Sequence, residues 1–116
     1  ETAEQLKQFL EQLNHPALGV NFDPANMILY NQGNPIDAVD VLGPWIRHVH
    51  IKDAKRTTTP GTWGSEVAWS QGDVQADRFI KTLRDAGYKG VLAIEREAGD
   101  QRLTDIEFAV RWLSQR

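Results

Sequence analysis

An α/β fold with parallel strands is what this sequence predicts, on three observations. Three short runs alternate like β-strands, Leu18 to Asp23, Ile46 to Lys52 and Val91 to Glu95, and helical spacing fills the stretches around them. No turn between these runs is short enough for a hairpin, so the strands run parallel through right-handed crossovers. Each run also carries apolar residues on one parity and polar residues on the other, and ends in an ionisable group. The resulting order is αβαβαβα. A doubly wound open sheet and a (β/α)8 barrel both fit that order. Three strands are few for either, and a complete barrel takes roughly 250 residues, about twice the 116 present.

Taken in order, Thr2-Ala3-Glu4-Gln5 has the form of a capping box, with Thr2 as N-cap and Gln5 three residues on. Leu6, Phe9, Leu10 and Leu13 then make one apolar stripe, and Asn14-His15-Pro16 closes the helix. In the first strand Val20 and Phe22 share one face, Asn21 and Asp23 the other, and Pro24 stops it. A loop through Asn26, Tyr30 and Gly33 is expected next. Asn34-Pro35 supplies an N-cap followed by proline at N1, for a helix that runs to Leu42 and ends at Gly43-Pro44.

In the second strand Val49 and Ile51 alternate with His48, His50 and Lys52. A strand buried on both faces of a parallel sheet is apolar almost throughout, so this polar face asks for a reason. The connection from Asp53 to Gln71 is rich in Thr, Gly and Ser and unusually long for a loop without structure of its own. Trp63 and Trp69 imply that it is at least partly packed. Asp73 is placed to cap a helix carrying Ala76, Phe79, Ile80 and Leu83, with Gly87 at C′. In the third strand Leu92 and Ile94 lie opposite Ala93 and Glu95. Thr104-Asp105-Ile106-Glu107 reads as a second capping box, opening a helix with Ile106, Ala109, Val110 and Leu113 in one stripe.

Composition narrows the function. The 13 Lys and Arg against 16 Asp and Glu leave a formal charge of -3, spread without blocks, which is unlike a nucleic-acid-binding surface. With no cysteine, disulfides, thiolate zinc sites and a cysteine nucleophile are all excluded, so any metal must be held by His and carboxylates. No apolar run is long enough to span a membrane, and the first residues lack the pattern of a signal peptide, which makes a cytoplasmic location the expectation. The chain starts without Met and inside a helix cap, as a fragment of a longer protein would.

All three strands end with a coordinating group on the same parity: Asp23, His50 and Glu95. In a parallel sheet those ends lie on one edge, and in a barrel they converge where active sites sit. Singly each has a plain structural role available, as loop cap, hydrogen bonder or solvated carboxylate. Together they offer oxygen and nitrogen donors suited to Mn2+, Mg2+, Co2+ or Zn2+. Lys52 and Asp53 read as an ion pair or loop cap, His48 as a core histidine, and His15, next to a proline in a turn, as a surface residue.

The segments Gly19-Val20-Asn21-Phe22-Asp23-Pro24-Ala25-Asn26, His50-Ile51-Lys52-Asp53, Gly72-Asp73-Val74, Gly87-Tyr88-Lys89-Gly90 and Ile94-Glu95 resemble the second half of a xylose-isomerase-like TIM barrel. This is the superfamily of sugar and sugar-phosphate isomerases and epimerases, and the resemblance covers essentially the whole chain. It implies a partial (β/α)8 TIM barrel, with residues 1–116 as the C-terminal part of one domain. It implies a single divalent metal, commonly Mn2+, held by Glu, Asp, His and Glu; Asp23, His50 and Glu95 match the last three ligands. The first Glu would belong to a strand just before Glu1.

By the same resemblance Arg56 matches an arginine that binds a substrate hydroxyl or carbonyl oxygen. Asn26 stands where some epimerases of the family have a substrate-contacting His; it can hydrogen-bond a hydroxyl but cannot act as an acid or base near neutral pH. The implied chemistry is proton transfer at a carbon next to a carbonyl of a small sugar or sugar phosphate, through an enediolate. Glu95 would be one of two glutamates that move the proton, so the chain alone is expected to be inactive. It is also expected to self-associate or to pair with the missing half of the barrel, with no nucleic-acid or membrane partner. Three other readings remain open: a metal-dependent sugar-acid dehydratase, a phosphodiesterase like endonuclease IV, for which the histidines are too few, and a non-catalytic binding module.

Overall fold

A computed structural model describes residues 2–116. Its elements are α1 (Ala3–Leu13), β1 (Val20–Phe22), α2 (Pro24–Leu29), α3 (Pro35–Leu42), β2 (Ile46–Ile51), β3 (Asp53–Lys55), β4 (Ser65–Val67), α4 (Ala76–Asp85), β5 (Leu92–Ile94) and α5 (Arg102–Ser114), with a 3-10 turn at Gly43–Trp45. The three expected strands form one parallel sheet in the order β1-β2-β5. Along β2, His50 lies opposite Ala93 and Ile51 opposite Ile94. Against β1 the register shifts: Val20 faces Ile46 but Asn21 faces His48, so Arg47 is the extra residue of a bulge. The bulge explains why Ile46, Val49 and Ile51 all point to the core although their spacing is not a strict period of two.

The apolar face of the sheet is the core. Val20, Phe22, Val49 and Ile51 pack with Ala25, Ile28, Val39, Phe79 and Ile80 from the helices, all buried. Phe22 stacks on Phe79 with ring centroids 5.9 Å apart. Emptying a site of that kind, as in Phe79→Ala, typically costs about 3–5 kcal/mol. Trp69 sits edge-on to both Phe79 and Trp112, at 6.4 and 5.6 Å, and so ties the chain leaving β4 to α4 and α5. The polar face of the same sheet carries Asn21, Asp23, His48 and His50.

The capping box at Thr2 forms, with Gln5 N donating to Thr2 Oγ1 and Thr2 N donating to Gln5 Oε1. Asn34 caps α3 through Ile36 N and Asp37 N, and Gly87 takes φ 84 at C′ of α4. Several expectations are corrected. The stretch after Pro24 is a helix rather than a loop, because Asp23 accepts from Asn26 N and Pro24 starts the helix at N1. α3 does end at Leu42 as expected, with Gly43 as its right-handed C-cap leading into the 3-10 turn. Asp73 does not cap α4; Gln75 stands at that position with φ 61, while Asp73 accepts from Arg56 N. α5 begins at Arg102, so Thr104 lies inside it, and its buried residues are Ala109 and Trp112, with Val110 half exposed.

The largest correction concerns the connection from Asp53 to Gln71. It contains an antiparallel hairpin, β3 against β4, with Ala54 opposite Glu66. Neither Asp53-Ala54-Lys55 nor Ser65-Glu66-Val67 has two apolar residues at a spacing of two, as β1 and β5 do, so no pattern announced them. Trp69 is buried, but Trp63 is three-quarters exposed and stands edge to face with Tyr30. His48 is half-buried and stands edge-on to His50 rather than lying in the core. Among the described residues no helix is long and apolar enough to cross a membrane.

Candidate metal centre

The strand ends bring Asp23, His50 and Glu95 together. One ligand atom from each lies within 4.8 Å of the other two. His50 Nδ1 is 3.4 Å from Asp23 Oδ2 and 3.6 Å from Glu95 Oε2. Adjacent ligands of one ion at bond lengths of about 2.1 Å are separated by roughly 3.0 Å in octahedral and 3.4 Å in tetrahedral geometry, so these separations suit three ligands of a single cation. Asp23 does two jobs. Its Oδ1 caps α2 by accepting from Asn26 N at 3.0 Å, which fixes the side chain and leaves Oδ2 facing His50. His50 is held by its place within the ladder, and Glu95 follows directly on β5, its N donating to Ile51 O at 3.1 Å.

Lys52 belongs to the same site. Its side chain is 5% exposed, and Nζ lies 3.3 Å from Glu97, 3.5 Å from Glu95, 3.8 Å from Asp23 and 3.9 Å from Glu66. Burial works against this charge, but Asp23, Glu97 and Glu95 outweigh it and hold the ammonium above the usual lysine range. Beyond it, Arg96 donates to Glu66 at 2.5 Å and to Asp105 at 2.8 Å. Burial again opposes the charge, and the two carboxylates again prevail, raising the pKa of the guanidinium. Five carboxylates thus face two fixed cations, an excess of three negative charges at the end of the sheet. A divalent cation among Asp23, His50 and Glu95 fits both the donor chemistry and that excess.

The remaining expected site residues are placed differently. Asn26 is exposed beside Asp23, on a hollow also lined by Asn21, Met27 and Leu42. The Arg56 guanidinium donates to the Gly33 carbonyl at 2.9 Å, bracing the α2–α3 connection rather than facing the three ligands. Asp53 is the loop cap the sequence allowed: fully buried, it accepts from Ala54 N, Gly72 N and Val74 N. Burial pushes its carboxyl up, against the pull of those three donors. Glu66, Arg96 and Glu97 escaped sequence reasoning. The period of two does turn Arg96 away from Glu95, but nothing in the Thr- and Gly-rich connection singles out Glu66.

A parallel α/β sheet whose C-terminal edge gathers three residues able to hold a metal ion is an arrangement found in barrel-type proteins. The chain belongs to the xylose isomerase-like TIM barrel family, whose model matches residues 1–116. A xylose isomerase domain protein from Planctomyces limnophilus is 42% identical to it and superposes with a TM-score of 0.94, over 99% of this chain and 43% of that one. A xylose isomerase-like TIM barrel protein from Mycobacterium smegmatis, solved in complex with magnesium, shares the fold at 22% identity and TM-score 0.81, over 98% of this chain and 39% of that one. The uncharacterized protein YihM of Escherichia coli (strain K12) is 38% identical over 82 residues, 70% of this chain and 25% of YihM. The chain therefore spans less than half the length of each.

Proposed function

We propose that this chain carries the metal-holding end of a divalent-metal-dependent isomerase or epimerase acting on a small sugar or sugar phosphate. The convergence of Asp23, His50 and Glu95 carries the reading. These three would hold the cation; one nitrogen and two carboxylate oxygens suit Mn2+, Mg2+, Co2+ or Zn2+, with Mn2+ the ion proposed, and the magnesium in the M. smegmatis relative supports a hard cation of that kind. Bound there, the cation supplies Lewis-acid stabilisation of negative charge on substrate oxygens. Glu95, the most open of the three at 36% exposed, takes or returns the proton at the carbon beside the carbonyl. Asn26 and Arg56 bind substrate oxygens, Arg56 after exchanging its Gly33 contact for them. A second proton-transferring carboxylate comes from elsewhere in a complete barrel, whose other strands pair with the open edges of β1 and β5.

The test is solvent exchange in the full-length protein. Incubated in D2O with excess Mn2+ and a panel of ketoses, aldoses and their phosphates, it is expected to place deuterium at the carbon next to the carbonyl of at least one. Glu95→Gln should slow that exchange by more than 100-fold. Metal-loaded protein that eliminates water or cleaves a phosphodiester without such exchange would replace the isomerase reading by one of its rivals.

A further inference from the structure

Of the three ligands, Glu95 is the least constrained by its own contacts. Asp23 is fixed by the α2 cap and His50 by the ladder, whereas among the described residues the polar contacts of the Glu95 carboxylate are a 3.5 Å contact with Lys52 and a 3.6 Å contact with His50. The chain just beyond it is held from one side chain. Glu66, 7% exposed, accepts from Arg96 Nη1 at 2.5 Å, Glu97 N at 3.0 Å and Ala98 N at 3.3 Å, all through Oε2. Its Oε1 faces Lys52. Arg96, 12% exposed, donates with Nε to Asp105 on α5. One carboxylate from the hairpin therefore grips all three residues that follow Glu95, and α5 braces the grip from behind.

We propose that Glu66 and Arg96 are positioning residues for Glu95, a buried clamp that sets where the third ligand stands relative to Asp23 and His50. This rests on the metal-centre reading above. A carboxylate this buried is tolerated only while paired, so the clamp holds one geometry, and β4 exists at this end of the sheet to deliver Glu66. Removing either partner frees the peptide after Glu95 without touching a ligand atom.

The experiment is a double-mutant cycle in the full-length protein, read as Mn2+ affinity by calorimetry, with thermal unfolding to verify folding. Arg96→Met and Glu66→Gln are each made with Glu95 intact and with Glu95→Gln. Glu66→Gln keeps the shape of the side chain and serves where Arg96→Met does not fold. The clamp predicts that each change weakens Mn2+ binding by about 10–100-fold when Glu95 is present, and by less than about threefold once Glu95 is gone. Equal losses in both backgrounds would make Glu66 and Arg96 merely structural and overturn the proposal, as would unchanged affinity with Glu95 intact. Wild-type protein that binds no Mn2+ would overturn the metal-centre reading and the clamp together, whereas a wild type that binds it and weakens on Glu95→Gln leaves the clamp to stand or fall alone.

Discussion

Lys52 and Asp53 are neighbours in sequence and both hidden from solvent, yet their charges are answered in different ways. Asp53 has three backbone N–H donors at 2.8 to 3.1 Å, and a Cβ on Gly72 would collide with its Oδ1 and with the Ala54 carbonyl, so the loop is built around it. Lys52 faces four carboxylates at 3.3 to 3.9 Å, every one of these contacts longer than those of Asp53. A charge satisfied by short local bonds belongs to the fold. A charge shared loosely among acids that outnumber it leaves room for more positive charge, which is what the proposed metal centre would supply.

The comparison breaks first at Asp53. Asp53→Ala leaves three N–H groups without their acceptor in the interior and should cost about 4 kcal/mol of stability, measured by urea unfolding; a variant of full stability would remove Asp53 from the fold's framework. Lys52→Met should cost less, roughly 2–3 kcal/mol, since its contacts are long, and Mn2+ should restore most of that loss by replacing the missing charge. Thermal unfolding with and without Mn2+ checks this, and a variant indifferent to the ion would detach Lys52 from the centre. The smallest effect is in pH. Because the folded pKa of Lys52 is raised, its share of stability is complete below the unfolded lysine value of about 10.4 and is lost as pH rises through the higher folded value. Stability of the metal-free wild type should therefore fall in that alkaline window by more than that of Lys52→Met.

What the sequence made legible was whatever repeats at short range. Val20/Phe22, Val49/Ile51 and Leu92/Ile94 announced the parallel strands, and the shared parity of Asp23, His50 and Glu95 announced their meeting. The hairpin stayed hidden because Asp53–Lys55 and Ser65–Val67 are held by long-range pairing and not by pattern. Caps at Asp73 and Thr104 were misplaced although both residues fit the local rule: the Asp73 carboxylate is taken by Arg56 N, from across the connection, and α5 begins two residues before Thr104. Arg47, the inserted residue of the β2 bulge, likewise has a cause only in the neighbouring strand.

The most direct measurement is a Mn2+ titration of the folded protein, followed by calorimetry, for wild type, Asp23→Ala and His50→Ala. The account predicts one Mn2+ per chain in the wild type and no measurable binding in either variant, with folding intact in all three. A wild type that takes up no ion, or variants that bind as tightly as the wild type, would contradict it.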